Sequence, residues 1–69
     1  MALNFFFQLG SFVHNPDKPN WGIGQVQSMD RHRVTVNFEN KGKLLINTNI
    51  VNLELIYDIE EYQNTRKDI

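Results

Sequence analysis

The chain has 69 residues, of which 41% are hydrophobic and 22% charged, and this is the size and composition of one small globular domain. It contains no cysteine, which excludes a disulfide framework, a thiolate metal site and a cysteine nucleophile, and we expect a cytoplasmic protein. Seven basic residues against eight acidic ones give a formal charge of -1, so the chain has no overall positive field that would attract nucleic acid.

Residues 1–8 form an apolar N-terminal segment that includes Phe5, Phe6 and Phe7. No Lys or Arg precedes Phe5, and the apolar run is too short for a membrane span, so we expect neither a signal peptide nor a membrane anchor. The three Phe side chains then need cover from the core, from a partner or from a second copy of the chain.

Alternation of apolar and polar residues predicts five short strands in the middle of the chain. The pattern is clearest at 33–38, where Val34, Val36 and Phe38 share one face. The predicted strands are 12–14, 25–29, 33–38, 43–47 and 51–55. We expect a hairpin loop at 30–32, a turn with positive φ at 39–42 and a single helical turn at 48–50 as connections.

Five strands in about fifty residues favour an all-β fold, a small SH3-like or Tudor-like barrel over residues 9–57. Closing the sheet would remove its exposed edges. Gly22 and Gly24 are expected at a sharp bend rather than in a phosphate-binding loop, because the third glycine and a following helix are missing. The predicted core is Val13, Val26, Val34, Val36, Phe38, Leu44, Ile46, Leu53 and Leu55.

A short C-terminal helix is predicted over residues 58–69. Asp58 and Glu61 have the spacing of a capping box at its start. A helix of this length is marginal in water, so it needs an apolar surface to pack on, which Ile59 and Tyr62 would contact.

Several segments together carry a resemblance to known proteins: GSFVH at 10–14, NPDKPN at 15–20, WGIGQV at 21–26, VTVNF at 34–38 and GK at 42–43. Over roughly residues 9–56 the chain resembles a bacterial family of stand-alone Tudor-like domains of unknown function. More distantly it is similar to the C-terminal Tudor-like domain of UvrD/PcrA-type helicases. It is also similar to the RNA-polymerase-interacting domain of CarD-type regulators and transcription-repair coupling factors.

The resemblance implies a non-catalytic protein-interaction module that docks on the β subunit of RNA polymerase or on a DNA repair or transcription factor. Fold alone does not decide function, so the contact residues have to be argued individually. The candidate partner-binding residues are His14, Lys18, Trp21, Ile23, Arg31, Arg33, Lys41 and Lys43.

Two of these candidates have a structural alternative. Trp21, between a turn rich in Pro and Asn and the two glycines, either anchors a partner on the surface or caps one end of the core. His14 alternates with Val13, and we expect its ring to hydrogen-bond a carbonyl of the loop at 15–20.

No pattern of residues points to catalysis, a cofactor or a metal. His14 and His32 are the only imidazoles and come from different elements, without ligand spacing around them. Ser11, Ser28 and Thr35 have no evident base, so we expect a protein that is not an enzyme.

The charge distribution supports an alternative function, direct nucleic-acid binding. Up to Leu53 the chain carries five basic residues against three acidic ones, whereas from Glu54 onward five acidic residues meet two basic ones. Trp21 would stack on a base, and a patch on the hairpins would contact phosphate. That patch consists of Arg31, Arg33, Lys41 and Lys43, and an ordinary solvated face is the favoured explanation of the same residues. A further alternative is a structural homo-oligomer joined through Phe5, Phe6 and Phe7. The expected oligomeric state is a monomer or a weak homo-oligomer.

Overall fold

The computed structural model describes residues 8–67, and the side chains of residues 8–63. Its strands are β1 (Phe12–His14), β2 (Gly24–Asp30), β3 (Arg33–Phe38), β4 (Gly42–Asn47) and β5 (Glu54–Leu55). A 3-10 turn (Pro19–Trp21) lies between β1 and β2, and the helix α1 (Ile59–Lys67) follows β5. The predicted strand bounds are confirmed for β1 and β3, whereas β2 is longer by one residue at each end and β4 begins one residue earlier.

The strands form one antiparallel sheet in the order β4-β3-β2-β1-β5. β2, β3 and β4 are a meander, as predicted. β5 pairs with the edge of β1 that is opposite to β2. Within the described residues β4 and β5 do not pair with each other, so the sheet has two edges and the expected closure is not observed. The connection at 48–53 joins these two edge strands along the chain, and the fifth pairing that would close the sheet is not observed among the described residues.

The core lies on one face of this sheet, as the alternation predicts. Seven of the nine predicted core residues are buried, and Leu44 and Leu55 are half-buried and pack against them. Ile23, proposed above as a partner contact, is a further buried side chain with 7% exposure. Burying large apolar side chains at about 1.5 to 3 kcal/mol each is the main force that folds so short a chain.

Two local predictions, for the β2–β3 hairpin and for the last strand, were wrong in detail. The β2–β3 hairpin turns on two residues rather than three, because Arg31 adopts a positive φ of 59° and Asp30 remains in the strand. The segment 48–50 is a hydrogen-bonded turn with the bonding of a single helical turn, since both Ile50 and Val51 donate to the carbonyl of Asn47. The last strand keeps only Glu54 and Leu55.

The helix begins as its sequence predicts. The Asp58 carboxylate accepts a hydrogen bond from the backbone N–H of Glu61 at 3.1 Å, which satisfies one of the unpaired donors of the first turn. The prediction for Phe5, Phe6 and Phe7 lies outside the described residues.

Candidate interaction surfaces

A row of four exposed side chains crosses the outer face of the sheet, opposite the core. Phe12 is paired with Gln25, Gln25 with Asn37, and Asn37 with Lys43, so the four residues lie side by side on β1 to β4. All four side chains are exposed, and Phe12 retains 39% exposure although it is aromatic. Across the sheet the row therefore presents, in this order, an aromatic ring, two carboxamides and an ammonium group.

A groove of about 400 Å³ adjoins this row. Its lining includes Phe12, Gln25 and Asn37 as well as Gly24 and Gly42, which have no side chain to fill it. Gly24 is required by the core rather than by the groove, because a Cβ atom there would lie 2.5 Å from Val36 and 2.7 Å from Phe38. Gly24 is buried, whereas Gly42 is exposed and leaves backbone accessible beside the row of four residues.

Among the described residues no strand pairs with the outer edge of β4, which therefore presents backbone groups that the sheet does not bond. The N–H of Thr48 donates to the carbonyl of His32, and hydrogen-bonded pairs alternate along an antiparallel ladder. The bonds between β3 and β4 therefore belong to Leu44 and Ile46, and the N–H and C=O groups of Lys43 and Leu45 point away from the sheet. Leu45 is also 67% exposed, so this edge combines backbone hydrogen-bonding groups with an apolar side chain.

Trp21 occupies the core-capping position of the two alternatives. Its ring is half-buried and meets the ring of Phe38 edge-on, with 5.1 Å between the centroids. Phe38 is only 2% exposed, so Trp21 closes one end of the core. With Ile23 buried as well, the segment Trp21–Ile23 serves packing more than it serves contact with a partner.

A set of hydrogen bonds holds this segment against the turn between β3 and β4. The Glu39 carboxylate accepts the N–H of Ile23 at 2.8 Å, and the Ile23 carbonyl accepts the N–H of Glu39 at 2.9 Å. The Asn40 side chain donates to the Asn20 carbonyl at 3.0 Å, and its backbone N–H donates to the Trp21 carbonyl. The loop after β1 and the turn after β3 thus form one end of the domain, with Lys41 in the same turn.

Gly22 makes that contact possible. Its φ of 82° lies in the left-handed region, and an added Cβ atom would come within 2.6 Å of the Glu39 carboxylate. This confirms the expected bend.

His14 contacts a strand neighbour and the helix, and the expected bond to the loop at 15–20 is not observed. Its Nε2 lies 3.3 Å from the Glu54 carboxylate, directly across the β1–β5 pair. The imidazole also contacts the ring of Tyr62, with 5.0 Å between centroids. Antiparallel pairing explains the difference, because it brings residue 54 beside residue 14 while the loop chain turns away.

The four basic residues do not form a single patch. Arg33 and Lys43 share the outer face, but Lys43 is paired with Asn37, four residues along β3 from Arg33. At about 3.3 Å per residue this separates them by about 13 Å. Arg31 lies with Arg33 at one end of the meander, whereas Lys41 and Lys43 lie at the other.

Lys18 is exposed just before the 3-10 turn, and its carbonyl accepts the N–H of Trp21. Among the predicted site residues, Lys18, Trp21, Ile23, Lys41 and Lys43 therefore belong to the same half of the molecule. His14 belongs to the β1–β5 edge.

Within residues 8–67, no three His, Cys, Asp or Glu side chains come together in a group that could hold a metal ion. None of the helices in this described part is long and apolar enough to cross a membrane.

Four outer-face residues were not predicted as candidates from the sequence: Phe12, Gln25, Asn37 and Leu45. A signal was present, since the same alternation that places Val13 and Leu44 inward places Phe12 and Leu45 outward. An apolar residue at a position where the alternation predicts a polar one indicates a candidate contact surface.

The architecture is that of a small β domain, one antiparallel sheet over a single core with a short terminal helix. The chain belongs to a family of proteins of unknown function, DUF3553, whose sequence pattern matches residues 7–56. The match covers all five strands and ends before the helix. No significant match was found among curated proteins or among solved structures.

Proposed function

We propose that this chain is a non-catalytic protein-interaction module, built as a small SH3-like or Tudor-like barrel, that docks on RNA polymerase or on a transcription or repair factor. The return of β5 to the side of β1 supports this fold class, because it is the step by which such a sheet curves round its core. The resemblance at 10–14 and 21–26 supports the choice of partner.

The observation that carries the proposal is the open edge of β4. Its pairing with β3 is regular from one end to the other, and the bulge in the meander lies between β2 and β3 instead. Bulges, prolines, very short strands and charged side chains, above all Lys, are the usual protection of an edge. β4 has six residues and only the last of these features, at Lys43, whereas the other edge strand, β5, has two residues.

A protein partner would add an extended segment to this edge as a further strand. The N–H and C=O groups of Lys43 and Leu45 would supply the backbone bonds, and the Leu45 side chain an apolar contact. Charge selects the partner's side chains: residues 40–53 contain Lys41 and Lys43 and no acidic residue. The module therefore fits an acidic segment, and two copies of the chain joined edge to edge would bring like charges together.

The test is affinity capture of RNA polymerase by the purified protein, comparing the wild type with Leu45→Pro and Leu45→Val. Proline removes the outward N–H of residue 45 without breaking a bond to β3, because edge strands tolerate proline there. Leu45→Val keeps that N–H and is the matched control. Circular dichroism first establishes that both variants fold.

We expect the wild type and Leu45→Val to retain polymerase and Leu45→Pro to lose it. Polymerase at background level with the wild type would refute docking on polymerase. Equal capture by all three proteins would refute the β4 edge as the contact.

Direct nucleic-acid binding through Trp21 and the basic hairpins has less support. The Trp21 ring packs on Phe38, and the basic side chains divide between two ends of the meander.

A further inference from the structure

The row of four residues on the outer face has the chemistry of a nucleotide site. Phe12 offers an exposed aromatic ring on which a base can stack. Asn37 offers a carboxamide, which pairs with adjacent donor and acceptor atoms of a base, and adenine is the base that Asn and Gln recognise in this way. Lys43 offers a cation for phosphate.

The dimensions of the row suit such a ligand. Neighbouring strands lie about 4.8 Å apart, so the backbone positions of Phe12 and Lys43 are separated by about 14 Å across three strand spacings. The carboxamide of Asn37 lies between them, next to Lys43. Base and phosphate of one nucleotide can then be held by different members of the row.

The hydrogen-bonding groups of the two amides differ in availability. The Gln25 side chain donates to the Gly10 carbonyl at 3.3 Å, which orients it and leaves its oxygen as an acceptor. Asn37 makes no side-chain hydrogen bond among the described residues and is exposed. Both its donor and its acceptor are therefore available to a ligand.

The groove beside the row gives a planar ring room to approach. Gly24 and Gly42 line it with backbone alone, and an added Cβ atom at Gly42 would have no neighbour within 4 Å. Glu39 also lines the groove, with its carboxylate bonded to the N–H of Ile23. Its negative charge disfavours a phosphate inside the groove itself, whose lining does not include Lys43.

We infer that the outer face of the sheet binds an adenine nucleotide, with the base against Phe12, its edge on the Asn37 carboxamide and the phosphate at Lys43. The ligand chemistry is shared by free nucleotides and by single-stranded nucleic acid. This surface shares Lys43 with the edge of β4, but its other three residues lie on β1, β2 and β3, and the inference does not depend on the proposed function.

The experiment is a proton–nitrogen NMR titration of the ¹⁵N-labelled protein with adenosine monophosphate. The side-chain amide signals of Asn37 and Gln25 and the backbone signals of Gly24 and Gly42 should shift together and saturate. Uridine monophosphate tests base preference, and ribose 5-phosphate tests whether phosphate alone is bound. An oligoadenylate strand distinguishes the sources, because tighter binding than that of the mononucleotide indicates single-stranded nucleic acid.

Variants separate the three contacts. Asn37→Asp should weaken binding of adenosine monophosphate about tenfold through loss of the bidentate pair. The same change at Asn52, an exposed asparagine in the connection after β4, is the matched control and should leave affinity unchanged. Lys43→Gln should remove the advantage of adenosine monophosphate over adenosine, and Phe12→Leu should weaken both. All four positions are exposed, so folding is expected to survive.

Saturating shifts at Asn37 and Gln25 that Asn37→Asp weakens and Asn52→Asp preserves would support the inference. Equal shifts with ribose 5-phosphate would overturn base recognition. A ligand concentration of about 10 mM is tenfold above a Kd of about 1 mM. The absence of shifts at Asn37 and Gln25 up to that concentration would therefore overturn the site itself.

Discussion

The Glu39 side chain binds the backbone of Ile23, with its carboxylate oxygen 2.8 Å from the amide nitrogen, sixteen residues away along the chain. This bond joins the loop after β1 to the turn after β3. Glu39→Ala should lower the free energy of unfolding by about 1 to 2 kcal/mol. This value is at the low end for a hydrogen bond to a charged group, because the site is only partly buried. Urea unfolding followed by circular dichroism measures the change. Glu39→Gln, which keeps an acceptor, should lose less, and equal stability of Glu39→Ala and wild type would contradict a stabilising role.

The two glycines of the outer groove should respond differently to substitution. Gly24→Ala places a methyl group 2.5 Å from Val36, and overpacking of this kind costs about 1 to 3 kcal/mol. Gly42 has a φ of 73° and open space around it, so Gly42→Ala meets only backbone strain of about 1 to 2 kcal/mol. Asn tolerates this conformation, so Gly42→Asn should approach wild-type stability in thermal unfolding while Gly24→Asn unfolds the domain. The opposite order would show that the close contact at Gly24 is absent.

Two phenylalanines on opposite faces provide a test of which face is buried. Phe38→Ala should cost about 3 to 5 kcal/mol, because the side chain is 2% exposed and supports the ring of Trp21. Phe12→Ala removes the same group from the outer face, where most substitutions change stability by about 0.5 kcal/mol or less. Chemical denaturation of both variants gives the comparison. Similar losses at the two positions would mean that the outer face is covered in solution.

The helix should be held to the sheet by Tyr62. Tyr62→Ala removes the ring contact with His14, and Asp58→Ala removes the cap, which is worth about 1 kcal/mol in helix stability. Both changes should speed amide hydrogen exchange in α1 and leave exchange in β3 unchanged, since the helix lies outside the core. Tyr57→Ala is the control, because that side chain is 90% exposed. Faster exchange throughout the sheet would contradict a peripheral helix.

The strands and the buried face followed from alternation because each core residue of β3 and β4 obeys it. The length of the hairpin turn at Arg31 was not predicted correctly, because arginine does not indicate a positive φ. Here the two-residue turn imposes that φ. The last strand was overextended for the opposite reason. Val51 and Leu53 are apolar because they cover the core, and burial alone does not give their backbone a pairing partner.

The contact surfaces were harder to predict than the core. Trp21 and Ile23 are candidates for contact in the sequence because they are large. The same size favours their packing against the core. His14 was assigned to its sequence neighbours, whereas the pairing of β1 with β5 gave it Glu54 from forty residues away. Which residues share a row across the sheet depends on register, and register is a property of the folded chain.

The packing of Trp21 on Phe38 also gives the domain a built-in optical reporter. Trp21 is the one tryptophan of the sequence, so its fluorescence arises from a single indole at the end of the core. Emission should be shifted to the blue while the indole is shielded by Phe38 and move to the red when the core opens to water. Folding equilibria can therefore be followed at low concentration without a label.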